Sequence, residues 1–236
     1  MPILIPVWFY GFDSVMYFIS SMVGFLLSFY FHKIYSLSSE RRHMYLYLGF
    51  LLLSFGLLSL SITSIYSYTT FWQCRGRPCV LGMLDQAFGL EAFSYLLYFG
   101  LTILAYTLFM LAYIPKNFKM PSLPIYVFLI YFFIIFITLP MESREVDWFS
   151  YHGFFHLTAF LMLVFVSFMN IANFSENKSL SPLLVTAAFI FLSLFDLLHL
   201  FSFISEWMYV FAHVSMLISF TLLLSVVIGI VRVKSK

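Results

Sequence analysis

Residues 182–203 read PLLVTAAFIFLSLFDLLHLFSF, and the reading of this stretch decides the fold class. It is longer than the roughly 18 mostly apolar residues that mark a transmembrane helix, and Asp196 is its only formally charged side chain. A surface helix of a soluble protein carries one apolar stripe, whereas this segment is apolar nearly all round. Composition extends the reading to the whole chain. Of 236 residues, 63% are apolar and 9% charged, and the mean hydropathy is +1.00. Twelve Lys/Arg and ten Asp/Glu cannot clothe a soluble domain of this length. The lipid bilayer is the partner such a composition demands. A net charge of +2 with no basic face argues against nucleic acid.

Working outward from 182–203 gives seven apolar windows, at about 12–32, 46–68, 88–113, 122–140, 151–172, 182–203 and 206–231. Polar breaks separate most of them: Ser36 to His43, Lys116 to Lys119 with Pro115, Pro121 and Pro124, and Asn173 to Ser181 before Pro182. Only Ser202 to Glu206 divides the last two, so a tight helical hairpin is expected there. The expected fold is an all-α integral membrane protein, one seven-transmembrane helix bundle over residues 1–236. Met1 to Phe12 holds no basic residue, so no cleavable signal is expected.

Charge sets the expected orientation. Lys33, Arg41, Arg42, Lys116, Lys119, Lys178, Arg232, Lys234 and Lys236 fall on one side of the seven windows. Arg75, Arg77 and Arg144 fall on the other. By the positive-inside rule the first side is cytoplasmic, which predicts a multi-pass cell-membrane protein with its N-terminus outside and its C-terminus cytoplasmic. Trp8, Trp72, Trp148 and Trp207 then all sit at the outer interface, where indoles anchor.

Small residues recur at heptad spacing, with Ser14, Ser21 and Ser28 near Gly24 in the first window. Ser54 and Ser61 accompany Gly49 and Gly56 in the second, and Ser215, Ser219 and Gly229 lie in the seventh. Lipid supplies no hydrophobic drive between helices, so these stripes are expected to be close-packing seams. Cys74 and Cys79 flank Arg-Gly-Arg-Pro in the longest outer loop, a spacing and compartment that predict a disulfide.

Ionisable residues inside spans are costly and face the bundle interior. Here they share a level. His152 and His156 are four apart on the fifth window, and Asp196 and His199 three apart on the sixth. Glu206, Tyr209 and His213 form one stripe on the seventh. At about 1.5 Å of rise per residue, His156, Asp196, His199 and His213 lie roughly 6–10 Å below the outer boundary. Glu91 and Asp13 reach a similar outer depth. Imidazoles with one carboxylate suit a divalent, zinc-like metal ion, with His156, His199 and His213 as ligands and Asp196 as a fourth ligand or outer partner. His152 belongs either to that set or to the interface. A proton or hydrogen-bond network and haem are the competing readings, and Asp196 speaks against haem. Retinal is excluded, since Lys234 and Lys236, which lie past the last span, are the only lysines near it.

Two functions follow as expectations, with enzyme or non-enzyme left open. One is a membrane metalloenzyme acting on a lipid or amphiphile, with Glu91 or Glu206 as general base. The other is a sensor, receptor-like or transport bundle whose cluster binds a ligand or proton, signalling through a cytoplasmic partner protein.

Overall fold

The computed structural model describes residues 6–9, 11–73, 90–114, 148–176 and 180–234. The expected window at 122–140 and both cysteines, Cys74 and Cys79, lie outside the described residues. A 3-10 turn, Val7–Phe9, precedes six long helices: α1 Phe12–Ser38, α2 Arg41–Gln73, α3 Leu90–Tyr113, α4 Trp148–Glu176, α5 Leu180–Leu200 and α6 Glu206–Lys234. All six are long and apolar enough to cross a membrane. The chain is a multi-pass helical membrane protein.

Several helices overrun their apolar windows; α2 reaches from Arg41 to Gln73 against an expected 46–68. Hydropathy marks the lipid-embedded length, while the backbone stays helical until a cap stops it. The polar break expected over Ser36 to His43 shrinks accordingly to Ser39 and Glu40. Ser39 adopts a left-handed backbone (φ 54°), and its N–H caps the Tyr35 carbonyl at 2.8 Å. The hairpin expected after the sixth window is present, with α5 ending at Leu200 and a turn over 201–204.

The α1/α2 seam is the close packing the serine spacing predicts. Ser61 Oγ donates to the Ser14 carbonyl (2.9 Å), Ser21 Oγ to the Ser54 carbonyl (2.9 Å) and Ser28 Oγ to the Tyr47 carbonyl (3.2 Å). Rising numbers on one helix pair with falling numbers on the other, so the two run antiparallel. Gly24 sits in this seam, where an added Cβ would collide with Ser54 Oγ. Gly229 is different: a Cβ there meets nothing within 4 Å, so it is no part of a seam among the described residues.

Each helix packs on its chain neighbours, α3 packs on α4, and α1 against α6 closes the ring. Asp13 meets Tyr209, Tyr17 meets His213, and Gly24 faces Phe220, which makes α1 and α6 parallel. In the same way Tyr106 meets Asp196 while Phe109 and Tyr113 meet Phe189, so α3 opposes α5 and runs parallel to α4. Helices α1, α3, α4 and α6 therefore begin at one end of the bundle, where α2 and α5 finish. Phe50, Phe109, Phe189, Phe195 and Phe220 are wholly buried between them, so phenylalanine is core as well as lipid-facing bulk.

Candidate metal centre

The end of the bundle where four helices begin collects the polar residues. Their side chains converge because each sits on the inner face of its helix, within about two turns of the end. His152 and His156 share a face of α4, and Asp196 and His199 share a face of α5. Burial is nearly complete: Asp196 and His213 are 0% exposed, His156 3% and His199 4%, with His152 half-buried.

One nitrogen from each of His152, His156 and His199 lies within 4.8 Å of the other two. Ring centroids are 4.3 Å apart for His152 and His156, 4.8 Å for His156 and His199, and 5.9 Å for His152 and His199. This buried three-histidine group can hold a metal ion. Imidazole nitrogens that share a zinc-class ion each lie about 2.0–2.1 Å from it.

His156 Nδ1 lies 2.8 Å from Asp196 Oδ1; an ionised carboxylate only accepts, so the proton then sits on Nδ1 and Nε2 is free to ligate. The other carboxylate oxygen, Oδ2, accepts from the Tyr106 hydroxyl at 3.4 Å. An imidazole held by a carboxylate is the usual outer support of a metal-binding histidine. Asp196 thus stands behind His156, and its two oxygens are both engaged.

His213 joins the group from the other side. Its ring lies 5.1 Å from that of His199, and its Nδ1–H donates to the Tyr209 carbonyl at 2.9 Å. Beyond it, the Tyr209 hydroxyl donates to Asp13 Oδ2 at 3.1 Å. Asp13 Oδ1 also accepts from the Gly11 and Ser14 amides at 3.1 and 2.7 Å, a fully satisfied helix-start carboxylate. Gly11 takes φ 93°, which folds the Val7–Phe9 turn back so that Phe9 packs on Tyr209 and His213 at 5.9 and 5.5 Å. Hydrogen bonds therefore link α1 to α6 and α4 through α5 to α3, and the His199 ring lies between the two sets, 5.1 Å from His213 and 4.8 Å from His156.

Sequence placed four histidines and Asp196 at one level, and the structure brings all five together. The metal-capable trio is His152, His156 and His199, with His213 reaching it through His199. Glu206 is exposed in the first turn of α6, and no hydrogen bond or ion pair joins it to the histidines among the described residues. Glu91 lies in the first turn of α3, and its side chain falls outside the described residues. Tyr106 was missed; its one signal is a phenolic hydroxyl in mid-span, which must find a partner. No protein-family model matches the chain, and no curated protein or solved structure matches it.

Proposed function

We propose that this membrane protein works through a zinc-class divalent ion held by His152, His156 and His199, and that it is a metalloenzyme acting on a lipid or amphiphile. The carrying observation is the buried trio with His156 backed by Asp196. Three protein ligands with a fourth position free is the pattern of catalytic rather than structural zinc. Half-buried His152 is the exposed side, from which an amphiphile approaches. A divalent ion there supplies Lewis-acid chemistry, and the chain's own residues orient the ligands and exclude water. Haem fits poorly, because histidine rings 4.3 and 4.8 Å apart leave no plane between them for a porphyrin.

Orientation belongs to the proposal. What supports a cytoplasmic end opposite an outer metal end is that the described basic residues Lys33, Arg41, Arg42, Arg232 and Lys234 all lie toward the end opposite the histidines. A seventh span over 122–140 belongs to it too. What supports it is that α3 and α4 start at the same end of the bundle, while the 24 residues of α3 cover about 36 Å.

The sensor or transport reading keeps one observation in its favour: Glu206, one of the two expected bases, is exposed and joined to none of the histidines among the described residues. The test is elemental analysis of purified protein, then incubation of metal-loaded protein with ester- and amide-linked lipids and mass analysis of products. One zinc-class ion per chain, lost in His152→Ala and His156→Ala, with lipid cleavage, is the expected result. Bound metal without any product moves the protein to the sensor or transport class, and no metal ends the metal reading.

A further inference from the structure

His199 presents an anomaly that the trio does not absorb. It is buried, yet neither Nδ1 nor Nε2 finds a hydrogen-bond partner among the described residues. A neutral imidazole carries one N–H donor and one lone pair, and buried donors left unpaired are costly. If one nitrogen ligates the metal, the other keeps its N–H and still needs an acceptor.

His213 offers one. A carbonyl oxygen can only accept, so the 2.9 Å contact to the Tyr209 carbonyl requires the proton on His213 Nδ1. The Nε2 of neutral His213 is then a lone pair, and it too is buried and unpartnered among the described residues. The two rings lie 5.1 Å apart at 59°, a separation that an N–H···N bond of about 2.9 Å spans once the ring radii are added. The His199 ring turns about a soft terminal torsion, the movement by which its N–H would reach that lone pair.

We infer that His213 is the positioning residue of His199, its Nε2 accepting the N–H that His199 retains when its other nitrogen binds the metal. The inference rests on the metal reading proposed above. It gives the second buried ligand what Asp196 gives the first: an oriented acceptor that sets tautomer and ring plane. The relay then runs from His199 through His213 to the Tyr209 carbonyl. His213 is not a ligand in this arrangement.

The experiment uses the full chain and zinc ion alone, titrated against a competing chelator, with X-ray absorption to count coordinated imidazoles. Wild type is expected to bind one zinc through three imidazoles, and His152→Ala to lose it. His213→Leu should keep one zinc and three imidazoles but bind about 10- to 100-fold more weakly. His213→Gln, whose side-chain oxygen can accept, should recover most of that loss. Unchanged affinity in His213→Leu, or a Gln variant as weak as Leu, overturns the positioning role while leaving the metal reading intact. A fall in the imidazole count makes His213 a ligand and overturns it as well. Absence of zinc from wild type overturns both readings. Should His213→Leu not fold, nitrogen-15 spectra of histidine-labelled wild type decide instead. Zinc must produce a hydrogen-bonded His199 N–H with His213 protonated at Nδ1, and any other tautomer of His213 ends the inference.

Discussion

Asp196 concentrates the chemistry of single residues in this protein. A wholly buried carboxylate is tolerated only where donors or a cation meet it, and here the donors are His156 Nδ1–H and the Tyr106 hydroxyl. Asp196→Asn keeps an acceptor oxygen and removes the charge. It is expected to weaken zinc binding about 10- to 100-fold, the range for an outer-shell partner, while leaving the melting temperature of the metal-free protein unchanged or higher. Chelator competition and a thermal melt in detergent measure the two effects. A lower melting temperature with unchanged affinity would instead make Asp196 an ordinary helix-to-helix hydrogen bond. Tyr106→Phe tests the same arm more gently, removing one donor to Oδ2, and its effect on affinity should have the same sign and be smaller.

Between elements, two contacts carry testable weight. The α1/α2 seam depends on Gly24, because any side chain there meets Ser54 Oγ. Gly24→Ala should destabilise the bundle by about 1–3 kcal/mol, as overpacking does. Ser54→Ala, which deletes the colliding oxygen, should recover part of the loss, and a double-mutant cycle on melting temperatures measures the coupling. Additive losses would mean that the helices do not approach so closely. The second contact is the Val7–Phe9 turn, folded back by Gly11 so that Phe9 covers Tyr209 and His213. Replacing Phe9 with Ala should raise the rate at which diethyl pyrocarbonate modifies His213, read by peptide mass spectrometry, with His152 changing little. Equal rates at His213 in both proteins would show that Phe9 shields nothing.

At the scale of the whole molecule, parallel α1 and α6 put the start of the first helix and the end of the last at opposite ends of the bundle. The proposed orientation and seventh span are checked together with single cysteines introduced in a chain carrying Cys74→Ser and Cys79→Ser. Cysteines replacing Ser38 and Lys119 should react with an impermeant maleimide only after the cytoplasmic side is opened, and one replacing Arg144 should react in intact cells. Labelling of the Lys119 and Arg144 positions from the same side removes the span between them. In the native chain, peptide mapping without reductant should find Cys74 joined to Cys79, and two free thiols would remove the proposed disulfide.

The sequence by itself determined that the chain lives in lipid, where six of its spans lie, and that His152, His156, His199, His213 and Asp196 share a level. Those properties are one-dimensional: the length of an apolar run and the rise per residue are local, and tertiary contacts barely alter them. Heptad spacing likewise exposed the Ser14, Ser21 and Ser28 seam, since a repeat along one helix implies a stripe on it. Only the tertiary structure decided which faces meet. A span that is apolar nearly all round carries little record of its own rotation, so the azimuth of each helix is set by packing against its neighbours. That rotation turned His152 toward His156 and His199 rather than toward the interface, and seated His213 behind His199. It also aimed Tyr106 of α3 at Asp196, ninety positions away in the chain, and left Glu206 exposed although it lies on the same helix as His213. Depth could be counted from the residues, but direction required the packed bundle.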